Sequence, residues 1–275
     1  MPKNVIKRKS INDKFYTKPE VALRCINIAS PFLEGCNIVE PSSGNGAFSS
    51  QIGIVTEFDL EPPGNSSATK GDFLGISREQ LPEGNLAFIG NPPFGSRNTL
   101  TKAFIKKCLS FDDTKVVAFI LPKVFNKWGM QRIFTPNWKL AVNEELPEES
   151  FLLEGNPYHV PCMFQVWTQA GGIDLRELPP KTESDLFSIK SSYQKGIFIF
   201  GASPGKVISS EDVDKNNRGY FLSSSIDTQV LVGIIKDVDW KSLGNSSVNG
   251  GVSWFTKGEI IKHIEDCYYE KFERV

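Results

Sequence analysis

The feature that most constrains the fold is an alternation of short apolar runs with amphipathic stretches. Leu86-Ala87-Phe88-Ile89 and Lys115–Leu121 are apolar runs of strand length, and Leu100–Leu109 between them spaces its apolar residues as a helix does. Asn37-Ile38-Val39 and Ile54-Val55-Thr56-Glu57-Phe58 read as two earlier strands, with room between them for little more than one or two helical turns. Trp138–Val142 and Met163–Thr168 are candidate strands flanking a longer loop, Asn143 to Pro161, and Val124–Phe134 reads as helix. A further helix opens the series at Glu20–Ile26; Thr17 can cap it, Pro19 suits its first turn, and Pro31 ends it or lies just beyond. Strands alternating with helices in this order predict an α/β fold, a mostly parallel sheet with helices on both faces.

After Ala170-Gly171-Gly172 the texture changes. Leu178-Pro179-Pro180 resembles a linker, and Ile197–Phe200 is strand-like. Short elements follow at Gly219–Leu222 and Val230–Ile235, then a polar, glycine-rich loop at Asn245–Gly251, and Lys257–Tyr269 reads as a helix. The expected division is residues 1–170 as the main domain and 171–275 as a smaller α+β appendage.

Composition narrows the function classes. The chain has 275 residues with 40% hydrophobic and 23% charged, as in ordinary globular proteins. No apolar run approaches membrane-spanning length, and the basic start Met1–Lys9 lacks the apolar core of a secretory signal, so the expectation is a cytoplasmic or otherwise intracellular protein with no membrane partner. Five cysteines are scattered without a CxxC pair, and the two histidines lie far apart, so neither a disulfide framework nor a metal site is expected. A net charge of −1 makes no global case for nucleic-acid binding.

Three loops carry the candidate chemistry, each following a strand. Glu40-Pro41-Ser42-Ser43-Gly44-Asn45-Gly46 places an acid and two glycines where a ligand can approach the backbone. Asp59 ends the second strand, where doubly wound proteins commonly hold a ribose diol, or else it starts a turn with Pro62-Pro63-Gly64. Asn91-Pro92-Pro93-Phe94-Gly95 follows the Leu86–Ile89 strand. Two prolines stiffen that loop and leave its carbonyls free, Asn91 adds an amide and Phe94 a flat apolar face. It reads either as a turn or as a clamp for a planar, amine-bearing ring.

Together these motifs resemble the S-adenosylmethionine-dependent adenine-N6 DNA methyltransferases, in the branch whose target-recognition region follows the catalytic domain. The resemblance rests on Phe15-Tyr16-Thr17-Lys18-Pro19 (with Lys18 intervening between Thr and Pro), on the Glu40–Phe48 loop and on Asn91–Phe94, and covers about Lys14 to Thr168. It implies a Rossmann-like methyltransferase fold with S-adenosylmethionine as cofactor and DNA as partner. Tyr16 and Thr17 would lie in the cofactor site with Ser42, Gly44 and Gly46. Glu40 would face the methionine amino group, Asp59 the ribose hydroxyls and Asp72 the adenine amine, with Phe73 packed on that ring and Asn91 at the methyl. Asn91, Pro92, Pro93 and Phe94 would form the catalytic tetrad. A flipped base would stack on Phe94, with Phe151 or Tyr158 at its other face, although Phe151 also reads as an ordinary core aromatic. Residues 171–275 would recognise the target, with Lys206, Arg218, Lys257 and Lys262 as phosphate contacts or plain surface charge, and Tyr220, Trp254 and Phe255 as stacking or core residues. The alternatives are an RNA adenine-N6 methyltransferase, a protein glutamine methyltransferase and a non-catalytic nucleic-acid-binding module. A restriction–modification context, with a nuclease on another chain, also fits the resemblance.

Overall fold

A computed structural model describes residues 15–53, 55–64, 66–243 and 254–272. The basic start Met1–Lys9, Lys14, Ile54, Asn65 and the loop Asn245–Gly251 lie outside the described residues. The chain divides into two compact units, with the boundary between Glu177 and Leu178.

The first unit is built on a seven-stranded sheet. In chain order its strands are β1 (Asn37–Glu40), β2 (Thr56–Asp59), β3 (Thr69–Lys70), β4 (Leu86–Gly90), β5 (Thr114–Pro122), β6 (Lys139–Glu145) and β7 (Cys162–Thr168). Their spatial order is β3-β2-β1-β4-β5-β7-β6. The first five pair in parallel, and β7 runs antiparallel to both of its neighbours. The chain winds one way from β1 to β3 and the other way from β4 to β5. That leaves a topological switch point between β1 and β4, where open α/β sheets bind ligands at the carboxyl ends of their strands.

Side chains on β4 and β5 alternate between two cores. Leu86, Phe88, Val117, Phe119 and Leu121 enter one, and Ala87, Ile89, Val116, Ala118 and Ile120 enter the other. Helix α1 (Pro19–Leu33) supplies Val21, Ala22, Cys25, Ala29 and Leu33 to the second core. Helix α2 (Thr99–Leu109) supplies Phe104, Ile105 and Cys108 to the first. Burial on both faces is what the continuous apolar runs of β4 and β5 require.

Several local expectations change. Thr17 does not cap α1: the cap position is Lys18, and Thr17 is in a strand paired with Phe151. Pro31 lies inside α1, near its end, where only one intrahelical bond is forfeited. The expected Val124–Phe134 helix is broken into a 3₁₀ turn at Lys123–Asn126 and a single turn at Trp128–Gln131, separated by Lys127 in extended conformation. The β1–β2 crossover holds only the 3₁₀ turn Ser49–Gln51. The loop before β7 carries a hairpin, Phe151–Leu153 with Asn156–Tyr158, and Tyr16–Thr17 adds to its edge.

The first unit runs on through Glu177 because the chain folds back on the β6 edge. Leu175 donates to the Leu140 carbonyl, Arg176 donates to the Phe134 carbonyl at 3.0 Å, and the Arg176 guanidinium lies over Trp167. The second unit has its own antiparallel four-stranded sheet (Phe187–Lys190, Ile197–Phe200, Ser203–Ser209 and Gly219–Ser224) and the helices Thr228–Asp237, Trp240–Leu243 and Lys257–Phe272. Within it the buried Glu265 is paired with Lys181. Among the described residues no helix is long and apolar enough to cross a membrane.

Trp167 is fully buried and stacks on Phe134 with ring centroids 3.9 Å apart. Trp167→Ala should therefore lower the unfolding free energy by about 3–5 kcal/mol, to be checked by urea denaturation.

Candidate active site

The switch point gathers the three loops singled out in the sequence. Glu40 ends β1, and Asn91 follows Gly90 at the end of β4. Gly90 has φ 144°, and a Cβ there would lie 3.3 Å from Glu40 Cγ. A glycine is thus needed on β4 for both the backbone conformation and the seating of the Glu40 side chain. Glu40 is 1% exposed, and its Oε2 accepts a hydrogen bond from the Ser49 amide at 2.9 Å. Burial holds its carboxyl well above the usual range; the bond from Ser49 opposes this and the neighbouring Glu57 charge adds to it.

The loop after β1 is pinned from two sides. Asp59 Oδ2 accepts from the Gly44 amide at 2.8 Å, while its Oδ1 accepts from the Glu61 amide at 2.8 Å. The residue therefore shapes a turn, one of its two readings, and also anchors the glycine loop. Gly44 has φ 55°, and a Cβ there would lie 3.3 Å from the Tyr16 ring. Gly46 closes the turn by donating to the Ser43 carbonyl at 2.8 Å. The Ser43 hydroxyl is buried with no hydrogen-bond partner.

Asn91 is held by its surroundings. Its Nδ2 donates to Thr17 Oγ1 at 3.2 Å, and Ser42 Oγ donates to its backbone carbonyl at 3.2 Å. Its Oδ1 is buried and has no partner. Pro92 is buried, Pro93 exposed and Phe94 half-buried. Phe15 lies 6.4 Å from Phe94 between ring centroids and stacks on Tyr158 at 5.2 Å and 8°. A row of aromatic rings therefore borders the tetrad.

Other expected residues are placed differently. Phe73 is 2% exposed and packs against Phe58, Phe88 and Phe104, so its ring is a core element and offers no open face to an adenine. Phe151 is 0% exposed, inside the core that faces α1, in keeping with its alternative reading as an ordinary core aromatic. Asp72 is exposed and caps the turn Phe73–Gly75, its Oδ1 accepting from the Leu74 amide at 3.0 Å. Phe15 and Gly90 were missed as site residues. The signal for Gly90 was its position directly before Asn91, and for Phe15 its place two residues before Thr17 on an extended segment, where side chains share a face.

In the second unit Phe255 is a core residue, and Tyr220 and Trp254 pack against each other with centroids 6.3 Å apart. Lys206 Nζ sits 4.7 Å over the Phe200 ring, in a cation–π contact. The five cysteines are free thiols, and burial pushes those of Cys25, Cys108 and Cys162 up, making them inert packing residues.

The switch point thus brings together a buried carboxylate, a glycine loop pinned by Asp59 and the orphaned hydroxyl of Ser43. Since burial raises the folded-state value of Glu40, the unfolded chain releases this proton first as pH rises past about 4.5. The contribution of Glu40 to stability is therefore fully present at low pH and declines until the folded-state value is passed. Glu40→Gln should flatten that decline in a pH series of thermal melts.

Residues 53–159 match the family model described as the EDM2 methyltransferase-like domain, a stretch that contains Asp59, Asp72, the tetrad and the hairpin through Tyr158. No curated protein matches the chain. Similar solved structures include the 23S rRNA methyltransferase ErmE, at 15% identity and a TM-score of 0.43, covering 60% of this chain and 73% of that one. A Listeria monocytogenes protein described as a class I S-adenosylmethionine-dependent methyltransferase has 11% identity and a TM-score of 0.43, with coverages of 63% and 65%. The methyltransferase subunit of a type I restriction–modification system from Streptococcus thermophilus has 16% identity and a TM-score of 0.40, covering 83% of this chain and 54% of that one. The stretch 53–159, which holds the Asp59 and Asn91 loops, is thus similar to a methyltransferase-like domain.

Proposed function

We propose that the chain transfers a methyl group from S-adenosylmethionine to the N6 amine of adenine in DNA. The observation that carries this reading is Asn91 Oδ1, a buried acceptor without a partner at the end of β4. Leaving such an acceptor unsatisfied costs about 1–3 kcal/mol, and an amine hydrogen is the donor it calls for. Thr17 turns the amide so that its oxygen is the free atom.

Glu40, the Gly44–Gly46 loop, Asp59 and Asp72 would hold S-adenosylmethionine, which would supply an electrophilic methyl on a sulfonium. The chain's own contribution is alignment. Exocyclic N6 is a poor nucleophile because its lone pair is delocalised into the ring. Asn91 Oδ1 and the Pro92 carbonyl each accept one N6 hydrogen, drawing the nitrogen towards tetrahedral geometry and aiming its lone pair at the methyl. A neutral amide is not basic enough to keep the proton that nitrogen then gives up, so it passes to water. Phe94 stacks on the base, and Tyr16 and Thr17 brace the two loops. Lifting adenine out of a duplex costs a few kcal/mol, and stacking worth about 1–3 kcal/mol per base offsets much of it. Residues 171–275 take the role of target recognition, and the Glu40-Pro41-Ser42 form of the loop supports DNA over RNA.

The test is transfer of label from tritiated cofactor to DNA and to RNA of one sequence, side by side. Incorporation into adenine of DNA is expected. Asn91→Ala should lower it at least a hundredfold, and Phe94→Ala about tenfold or more, in line with 1–3 kcal/mol of stacking. An unchanged rate in Asn91→Ala would overturn the mechanism, and preferential labelling of RNA would overturn the choice of polymer.

A further inference from the structure

A second buried carboxylate, this one with an unpartnered oxygen, lies one strand away from Glu40. Glu57 on β2 is the register partner of Glu40 across the parallel β1–β2 pair and is 7% exposed. Its Oε1 accepts a hydrogen bond from Ser67 Oγ. Its Oε2 is buried and has no partner among the described residues. The side chain lines an open cavity of about 460 Å³ together with Ser49, Ile52, Val55, Ser67 and Thr69. The cavity exists because the β1–β2 crossover holds a single 3₁₀ turn, which cannot cover this part of the sheet as a full crossover helix does.

The lining states what the cavity lacks. Among the described residues it contains one carboxylate and several hydroxyls, and no lysine, arginine or histidine. An ionised carboxylate removed from water without a counter-charge is costly, so the cavity selects for a cation. A single carboxylate is too little charge for a dedicated divalent site, which draws on more anionic oxygen ligands. The space is also far larger than a bare ion needs, since one water takes about 30 Å³ in the liquid. Ile52 and Val55 add apolar surface beside the polar groups.

We propose that the Glu57 cavity binds an alkylammonium group, either a free polyamine or a lysine side chain of another protein. The three N–H donors of the ammonium are matched by Glu57 Oε2 and by the hydroxyls of Ser67 and Thr69, and the alkyl stem lies on Ile52 and Val55. Ser49 also bonds Glu40 through its amide, so the new site shares a residue with the one at the switch point. The proposal does not depend on the methyl-transfer reading.

Calorimetric titration of the full chain with n-butylammonium chloride tests it, with potassium chloride and tetramethylammonium chloride at equal ionic strength as controls. Saturable binding of n-butylammonium is expected, at least tenfold weaker in Glu57→Gln, with no saturable binding of tetramethylammonium, which has charge but no N–H. Thermal melts give a second readout. The amine should raise the melting temperature of the wild type and not of Glu57→Gln, which without amine should melt at or above the wild type because an unpaired buried carboxylate is gone. Titration with spermidine and with Nα-acetyl-lysine amide identifies the source by which binds tighter. Equal amine binding by wild type and Glu57→Gln would overturn the proposal. So would binding of potassium in place of the amine, or an amine-free Glu57→Gln that melts well below the wild type.

Discussion

A buried carboxylate sits at the carboxyl end of β1 against a neighbouring strand that ends in a glycine of positive φ. Glu40 lies against Gly90, and any side chain on that residue would press on Glu40 Cγ. The contact joins the two halves of a doubly wound sheet where their winding reverses, and both loops that form the site leave from it. Desolvating Glu40 raises its pKa, so the folded chain stores an electrostatic cost that a bound cationic group relieves. The apolar residues of β4 and β5, shared between two cores, make this cost bearable by fixing the strands from both sides.

What was legible in the sequence follows from how local each signal is. β4, β5 and α2 fall close to their expected bounds because a buried strand is a continuous apolar run and an amphipathic helix repeats every three to four residues. The residues from Val124 to Phe134 have helical spacing, yet the chain breaks at Lys127, and the first turn is tied to β7 by the fully buried Gln165, whose Nε2 donates to the Phe125 carbonyl at 3.2 Å. No pattern in that segment announces a partner forty residues away. The same holds for Phe73 and Phe151. The motif position of Phe73 pointed to ligand contact and Phe151 had two readings, while the structure packs both rings into cores, an outcome set by long-range neighbours.

The candidate site was legible as loops and obscure as a network. Glu40, Asp59 and Asn91 each follow a strand, which sequence can reveal. That Asp59 bonds the Gly44 amide, that Ser42 bonds the Asn91 carbonyl and that Thr17 holds the Asn91 amide are facts of tertiary placement. Thr17 illustrates the difference: a threonine two residues before a proline suggests a helix cap, but here pairing with Phe151 takes the residue out of the cap position.

The two-residue strand Tyr16–Thr17 has a mechanical meaning. Successive residues of an extended chain point to opposite sides, so Tyr16 reaches the glycine loop while Thr17 reaches the tetrad. One short segment therefore touches both loops, and it cannot shift against one without shifting against the other. A ligand that steadies Tyr16 removes conformational freedom from Thr17 in advance, and the second ligand meets an amide already oriented. On the proposed reading, cofactor and substrate would then be linked through a pair of adjacent side chains, and by reciprocity each would tighten the other by the same factor.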